Sequence, residues 1–276
     1  MSQQLLYSPN DKITLVYLNS YRPKNLQLVI KKMSTYPEVG EILVLHTRRA
    51  SQFASSDPKV VSYGSAARRL FQQFKMTSRF QGCLRAKYNT VLLADDDLII
   101  SHDALRRLLR AKQGQPDRVY GIGRAGRVYD PLFPPYTLPE HDGEVDFVVG
   151  RTMLVDRRMC GAFFDLKPLV DDVAMLGRTP WGAEDIFMSL AVRAVTGGIR
   201  PFTITRSPQD FINLDAGVGV GISHSPEHYP FRNAFLLIST HRLGCLFPPR
   251  QAVGAASLQE MDRLRKNIVC TPEGLL

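Results

Sequence analysis

Tyr88-Asn89-Thr90-Val91-Leu92-Leu93-Ala94-Asp95-Asp96-Asp97 passes without a break from an apolar run into three carboxylates. The continuous apolar run predicts a strand buried on both faces, as in mostly parallel sheets. Ligands of such sheets bind beyond the carboxyl ends of the strands, which is where Asp95, Asp96 and Asp97 stand. Adjacent carboxylates oppose one another unless a cation neutralises them. Hard oxygen donors suit Mg²⁺ or Mn²⁺, which are shared between one or two carboxylates and the phosphates of a substrate. Asp-rich turns also occur as solvated loops and helix caps. The strand immediately upstream favours a metal held against the diphosphate of a nucleotide.

Upstream, Ile13 to Leu18 reads as a strand that turns at Asn19-Ser20-Tyr21-Arg22-Pro23. Asn25 to Met33 places Leu26, Val29, Ile30 and Met33 on one helical face. Glu41 to His46 is a second buried strand and Val60 to Tyr63 a third, followed by a polar, basic stretch through Arg79-Phe80. Downstream, Ser101 to Lys112 predicts a helix capped by Ser101, with Leu105, Leu108 and Leu109 inward. Gly121 to Gly126 and Pro131 to Pro139 read as irregular. A strand at Glu144 to Gly150, a helix from Glu184 to Val195 stopped by Gly197-Gly198, a strand at Ile199 to Thr205 and a helix from Asn233 to Leu243 complete the chain. The alternation predicts an α/β fold with a mostly parallel central sheet flanked by helices. With no repeat or clean linker, residues 1–276 are expected to form one domain. Its nucleotide-binding half would cover about 10–125 and its acceptor-binding half about 140–250.

Hydrophobic residues make up 44% and charged residues 22%, which excludes disorder as the default. No run approaches the roughly 20 apolar residues of a membrane helix, and the N-terminus lacks the basic-then-apolar pattern of a secretory signal. Cys83, Cys160, Cys245 and Cys270 show no metal-ligand spacing and read as buried or surface thiols, so a cytoplasmic protein is expected. The absence of any Asn-x-Ser/Thr site agrees. The net charge of +9 implies an anionic partner: nucleic acid, an acidic membrane surface met peripherally, or a sugar nucleotide. The basic residues are dispersed. Arg106-Arg107 with Arg110 and Lys112 falls at helical spacing and reads as a solvated face, so nucleic acid is not expected.

A second acidic pair, Glu184-Asp185, opens a helix, where carboxylates also serve simply to meet the helix dipole. Trp181-Gly182 before it suits a loop that touches a sugar. Asp171-Asp172 reads as a surface turn. Gly217 to Pro230 is glycine-rich and holds His224 and His228. Its backbone N–H groups suit an anion-cradling or lid role, and either histidine is a candidate to complete a metal shell. No Lys-Ser/Thr follows the glycines, so it is no Walker loop.

Arg79-Phe80 with Leu92 to Ser101 resembles the donor-binding block of the exostosin-like glycosyltransferases of family 64. Glu184-Asp185-Ile186-Phe187-Met188-Ser189 resembles that family's Asp-Asp-Ile-Ala-Met-Asn block, and His228 with Arg232-Asn233 resembles its C-terminal His-to-Arg segment. The three blocks keep the family's order over about Ile13 to Pro248. The resemblance implies a GT-A fold, a UDP-sugar donor, Mn²⁺ (Mg²⁺ as the alternative), retention of anomeric configuration, and a glycan or glycoconjugate acceptor. It implies Asp97 as the direct metal ligand, with Asp95 contacting the ribose or bound water; Asp95 is also a candidate metal ligand, and His224, read from the glycine-rich loop itself, is a further one. Arg79 would touch the uridine or phosphate; Asp95, Asp96, Asn19 and Arg22 complete the donor-binding set. Asp185 would lie near the anomeric carbon, and Arg232 would stabilise the leaving diphosphate. Glu184 and Ser189 depart from the second block. Ala183 stands where animal members carry a cysteine, so the family's disulfide is not expected.

Two other classes fit the same residues. A nucleotidyltransferase making a sugar nucleotide also needs an α/β sheet and carboxylate-bound metal, but the turn after the first strand lacks a glycine-rich, lysine-bearing loop. A basic protein that merely binds anionic polymers would be indifferent to loss of Asp97 or Asp185.

Overall fold

The structure, a computed structural model, describes residues 12–129, 142–176, 182–204, 207–214 and 228–244. The chain runs β1 (Ile13–Asn19), α1 (Pro23–Met33), β2 (Val39–His46), β3 (Val60–Tyr63), α2 (Ser65–Phe74), α3 (Ser78–Leu84), β4 (Thr90–Ala94), β5 (Leu98–Ile100) and α4 (His102–Gly114). It continues through β6 (Tyr120–Ile122), β7 (Gly126–Arg127), β8 (Gly143–Glu144), β9 (Phe147–Val148), β10 (Thr152–Asp156), α5 (Arg157–Leu166), α6 (Asp171–Ala174), α7 (Glu184–Val195), β11 (Phe202–Ile204), β12 (Phe211–Asn213) and α8 (His228–Arg242).

Eight strands form the central sheet in the order β3-β2-β1-β4-β10-β6-β11-β8. β3, β2, β1 and β4 are parallel, and β11 is parallel to β6; β10 runs antiparallel between β4 and β6, and β8 antiparallel on β11. The α/β architecture with a mostly parallel sheet is therefore as the apolar runs predicted. Over residues 12–100 strand and helix alternate because β1, β2 and β4 are largely apolar on both faces and need helices on each side, whereas the edge strand β3 stays half-exposed. On one face α1 contributes Leu26, Val29, Ile30 and Met33, and α4 contributes Leu105, Leu108 and Leu109. Each such side chain contributes about 2 kcal/mol when fully buried. On the other face α3, α5, α7 and α8 pack Phe80, Phe163, Phe187 and Phe235 together.

Local signals behaved as their chemistry requires at several points. Pro23 opens α1, where its missing N–H costs nothing. The Ser101 hydroxyl caps α4 by accepting from Ala104 N at 3.1 Å. Gly197 and Gly198, with φ of 70° and 101°, end α7, and Gly198 N donates to Arg193 O at 2.8 Å.

Other readings need correction. The polar, basic stretch before Arg79-Phe80, which carried no element type from the sequence, folds as α2 and α3, with Ala67, Phe80 and Cys83 buried. Gly121 to Gly126 runs from the end of the buried strand β6 through a short turn into β7, and Gly121 and Gly126 are glycines because Val148 and Thr203 leave no room for a side chain. Glu144 to Gly150 is two short strands in different sheets, since Asp146 breaks away to accept from Tyr129 N and Arg200. β10 and α5 carry no expectation from the sequence. α8 begins at His228, and Ile199 to Thr205 is strand only over β11 among the described residues. On α4, Arg106 and Arg110 face solvent, but Lys112 is buried against Asp156 at 2.8 Å and Arg107 holds Asp210 at 2.5 Å. Pro131 to Pro139 lies outside the described residues.

The cysteine reading also changes. Cys83 of α3 and Cys160 of α5, both fully buried, form a disulfide. It removes the free-thiol argument on which a cytoplasmic protein was expected, because stable disulfides belong to oxidising compartments in most organisms. No described helix is long and apolar enough to cross a membrane.

Candidate functional site

Strand register assembles the site. β1 and β4 are parallel with Tyr17 beside Ala94, so the turn at Asn19 to Arg22 lies next to Asp95, Asp96 and Asp97. β10 runs antiparallel to β4 with Thr152 beside Ala94, which sets Gly150 and Arg151 against the same carboxylates. Asp95 N donates to Arg151 O at 3.3 Å. On the far side of the run, Leu214 N donates to Asp97 O at 2.9 Å, and β5 pairs with β12. The acidic turn is thus held on both flanks by chain remote in sequence.

Two arginines clamp it. Arg22, one residue before α1, lies 3.4 Å from Asp96 Oδ1 and 3.4 Å from Asp97 Oδ2. Arg79, on the first turn of α3, lies 3.8 Å from Asp95 Oδ1 and 3.8 Å from Glu184 Oε1, and donates to Gly150 O at 2.9 Å. Arg79 therefore joins the acidic run to the opening of α7. Burial pushes the Asp96 carboxyl up to about 6; Arg22 opposes this, and Asp95 and Asp97 reinforce it. Enclosure within the fold also raises Asp95, with Arg79 opposing and Asp97 and Asp185 adding. The Asp95 side chain keeps 41% of its surface, so solvent moderates that rise.

At the start of α7 the carboxylates are buried as well as dipole-facing, so the capping role and the site role coincide. Asp185 accepts from Gly150 N (3.1 Å), Ile186 N (2.7 Å) and Arg232 Nη2 (2.7 Å). Arg232 also donates to Gly182 O at 2.7 Å. Glu184 is pushed up to about 7 by burial and by Asp185, against Arg79 and Arg232. Ser189 donates to Asp185 O and accepts from Val148 N, fixing α7 on β9.

Seven candidates, Arg22, Arg79, Asp95, Asp96, Asp97, Asp185 and Arg232, thus stand in one charged cluster. Asn19 is fully buried beneath it: its amide donates to Ser51 O at 2.7 Å and meets His46 Nδ1 at 2.8 Å, locking the carboxyl ends of β1 and β2 together. His224 and Trp181 lie outside the described residues. His228 begins α8 one turn before Arg232; burial, then Arg232, lowers it and Asp185 opposes. Asp171 and Asp172 open α6 instead of forming a bare turn, paired with Lys167 and Arg242. One participant was not singled out from the sequence. Gly150 supplies an N–H to Asp185 and a carbonyl to Arg79, and a glycine ending an apolar run was the available signal. Glu184 was noted as half of an acidic pair, but its pairing with Arg79 is visible only once α3 meets α7.

Among the described residues no group of three or more His, Cys, Asp or Glu side chains is arranged to hold a metal ion. The donor set at Asp95 and Asp97 nonetheless suits a hard divalent cation, being oxygen-only, crowded and partly open.

Among solved structures the chain is similar to the 2-C-methyl-D-erythritol 4-phosphate cytidylyltransferase of Francisella tularensis. The two are 14% identical, the match covers 82% of this chain and 100% of that one, and the TM-score is 0.47. No curated protein sequence matches. A family model, the glycosyl transferase family 64 domain, matches residues 13–236. With its acidic strand end joined through Arg79 to the Glu184-Asp185 helix, the chain belongs to glycosyl transferase family 64.

Proposed function

We propose that this glycosyltransferase moves a sugar from a UDP-sugar donor to a glycan or glycoconjugate acceptor with retention of anomeric configuration, as an exostosin-like enzyme acting through one domain. The observation that supports this most is the bridge made by Arg79 between Asp95 and Glu184. It puts a carboxylate cluster suited to a nucleotide diphosphate beside a second, buried carboxylate, Asp185, suited to the sugar.

Asp97 and Asp95 would hold Mn²⁺ or Mg²⁺, its remaining ligands coming from substrate oxygens and water; when bound, the cation supplies charge neutralisation to a diphosphate. Arg22 and Arg79 flank the run and orient the phosphates by charge-assisted hydrogen bonds. Asp185 accepts from three donors, which makes it a better stabiliser of positive charge on the sugar than a nucleophile. Arg232 holds Asp185 in place and lends its charge to the departing diphosphate. The acceptor hydroxyl then attacks from the leaving-group face and gives its proton to the phosphate that leaves, so no further base is needed.

The test is UDP release from a panel of UDP-sugars, with Mn²⁺ and with chelator, using water as acceptor. Metal-dependent hydrolysis of one donor, lost in Asp97→Ala, is the expected result. No hydrolysis and no binding of any UDP-sugar would overturn the donor assignment. Gly150→Ala probes the same frame: a Cβ there lies 2.2 Å from Arg79 Nη1, so the guanidinium must leave the Gly150 carbonyl. Donor affinity by calorimetric titration should fall roughly tenfold to a hundredfold, the loss of one charged hydrogen bond, while the fold persists because the displaced group is a flexible end.

A further inference from the structure

The net charge of +9 is not spread evenly. Between Glu41 and Asp95 stand nine Lys and Arg side chains and a single carboxylate, Asp57. Part of this charge is spent inside the fold, on Arg79 in the site and on Lys59, which donates to Ser34 O. Four arginines are not. Arg48 and Arg49 directly follow β2, and Arg68 and Arg69 lie in the first turns of α2, directly after β3. Because β2 and β3 are parallel neighbours, both pairs emerge at the same carboxyl edge of the sheet. The two segments touch: Arg68 Nη1 donates to Gln52 Oε1 at 3.1 Å, and Gly64 packs on the Gln52 side chain. Arg48, Arg49 and Arg69 are exposed and Arg68 is half-buried. Among the described residues no carboxylate pairs with any of the four. Asp57 is held at the other end of β3, accepting from Lys59 N.

Beside them stands Tyr21, with 70% of its surface exposed and its ring stacked under the Arg48 guanidinium at 3.6 Å. Tyr21 precedes Arg22, which pairs with Asp96 and Asp97, so the patch borders the mouth of the site. Clustered arginines attract anionic surfaces, and an exposed tyrosine beside them suits a membrane–water interface more than a soluble polymer. We propose that Arg48, Arg49, Arg68, Arg69 and Tyr21 form a docking surface for an anionic lipid bilayer, which places the site mouth against the membrane. This inference stands on charge and placement and does not depend on the UDP-sugar reading.

The test is co-sedimentation of the full chain with phosphatidylcholine vesicles, with and without phosphatidylserine, at rising salt. Binding should require phosphatidylserine and weaken steeply with salt. R49E/R69E should reduce partitioning at least about 25-fold, on the order of fivefold per arginine. R106E/R110E removes the same charge from the exposed face of α4, outside the cluster, and should stay within about threefold of the parent. R49Q/R69Q, with an intermediate loss, guards against a folding artefact, and thermal melting of each variant checks it. Absence of phosphatidylserine-dependent sedimentation, or equal loss in both reversal variants, would overturn the assignment. So would tighter binding to a soluble sulfated polysaccharide than to vesicles. UDP release measured on the same preparations separates failure of this proposal from failure of the transfer reading.

Discussion

An Asp185→Asn enzyme should bind its donor as the parent does and transfer sugar roughly a hundredfold to a thousandfold more slowly, the scale of losing a preorganised electrostatic contact at a reacting centre. The substitution keeps the volume of a residue buried to 6% of its surface and can keep the bond from Gly150 N. It removes the negative charge and presents N–H groups where Arg232 now donates at 2.7 Å. The expected signature is a collapse of kcat with little change in donor affinity, which marks an interaction made in the transition state. Leaving Arg232 buried without its anion costs up to about 3–5 kcal/mol, so thermal stability must be read alongside. Arg232→Lys keeps a charge but loses the fork that holds Asp185 and Gly182 O together; it separates loss of positioning from loss of charge. Full transfer by Asp185→Asn would remove this carboxylate from the mechanism.

The second large effect concerns the Cys83–Cys160 bond. Replacing both cysteines by alanine should destabilise the chain by about 2–4 kcal/mol and lower Tm by roughly 5–15 °C. The bond closes a separation of 77 residues, long enough for a sizeable entropic effect on the unfolded chain. It also has a local consequence. Arg79 stands on the same helix as Cys83, and α5, which carries Cys160, packs against α7 through Phe163 and Phe187. Loss of the bond should therefore weaken donor binding as well as the fold, while Gly150 and Glu184 still draw Arg79 to its place. Calorimetric melting with and without reductant measures the first, and donor titration the second. Thiol titration that finds both cysteines reactive in the folded, non-reduced protein, with an unchanged Tm, would rule the bond out.

How far the site was legible depended on whether its parts are local. The acidic run announces itself, because a strand apolar on both faces and ending in Asp95, Asp96 and Asp97 satisfies one element and one ligand rule at once. Glu184-Asp185 is legible for a similar reason: a helix start is a local signal. The wiring between them is not local. That Gly150 presents its N–H to Asp185, and that Arg79 spans from Asp95 to Glu184, follows from the register of β10 on β4 and the docking of α3 beside α7. Nothing in residues 79, 150 or 184 taken singly encodes a distance.

The misread segments follow the same division. Arg68, Arg69, Gln72 and Gln73 make the α2 segment read as polar and basic, although Ala67, Leu70, Phe71 and Phe74 recur at helical spacing and give it an apolar face. Asp146 splits what reads as one strand, since Arg200 and Tyr129 N draw its carboxylate out of the pleat. The cysteine pairing was invisible for a simpler reason: four cysteines allow three connectivities, and spacing does not choose among them.

By itself the sequence determined the element types with strong periodicity, the sheet class, the two acidic blocks and the excess of positive charge. Each is a property of neighbouring residues: burial on both faces, helical spacing, a cap, a like-charge cluster. Only the tertiary structure decided which carboxylates share an arginine, which cysteines meet, and where the surplus arginines gather. Those are contacts between residues distant in sequence, created by strand register and helix packing.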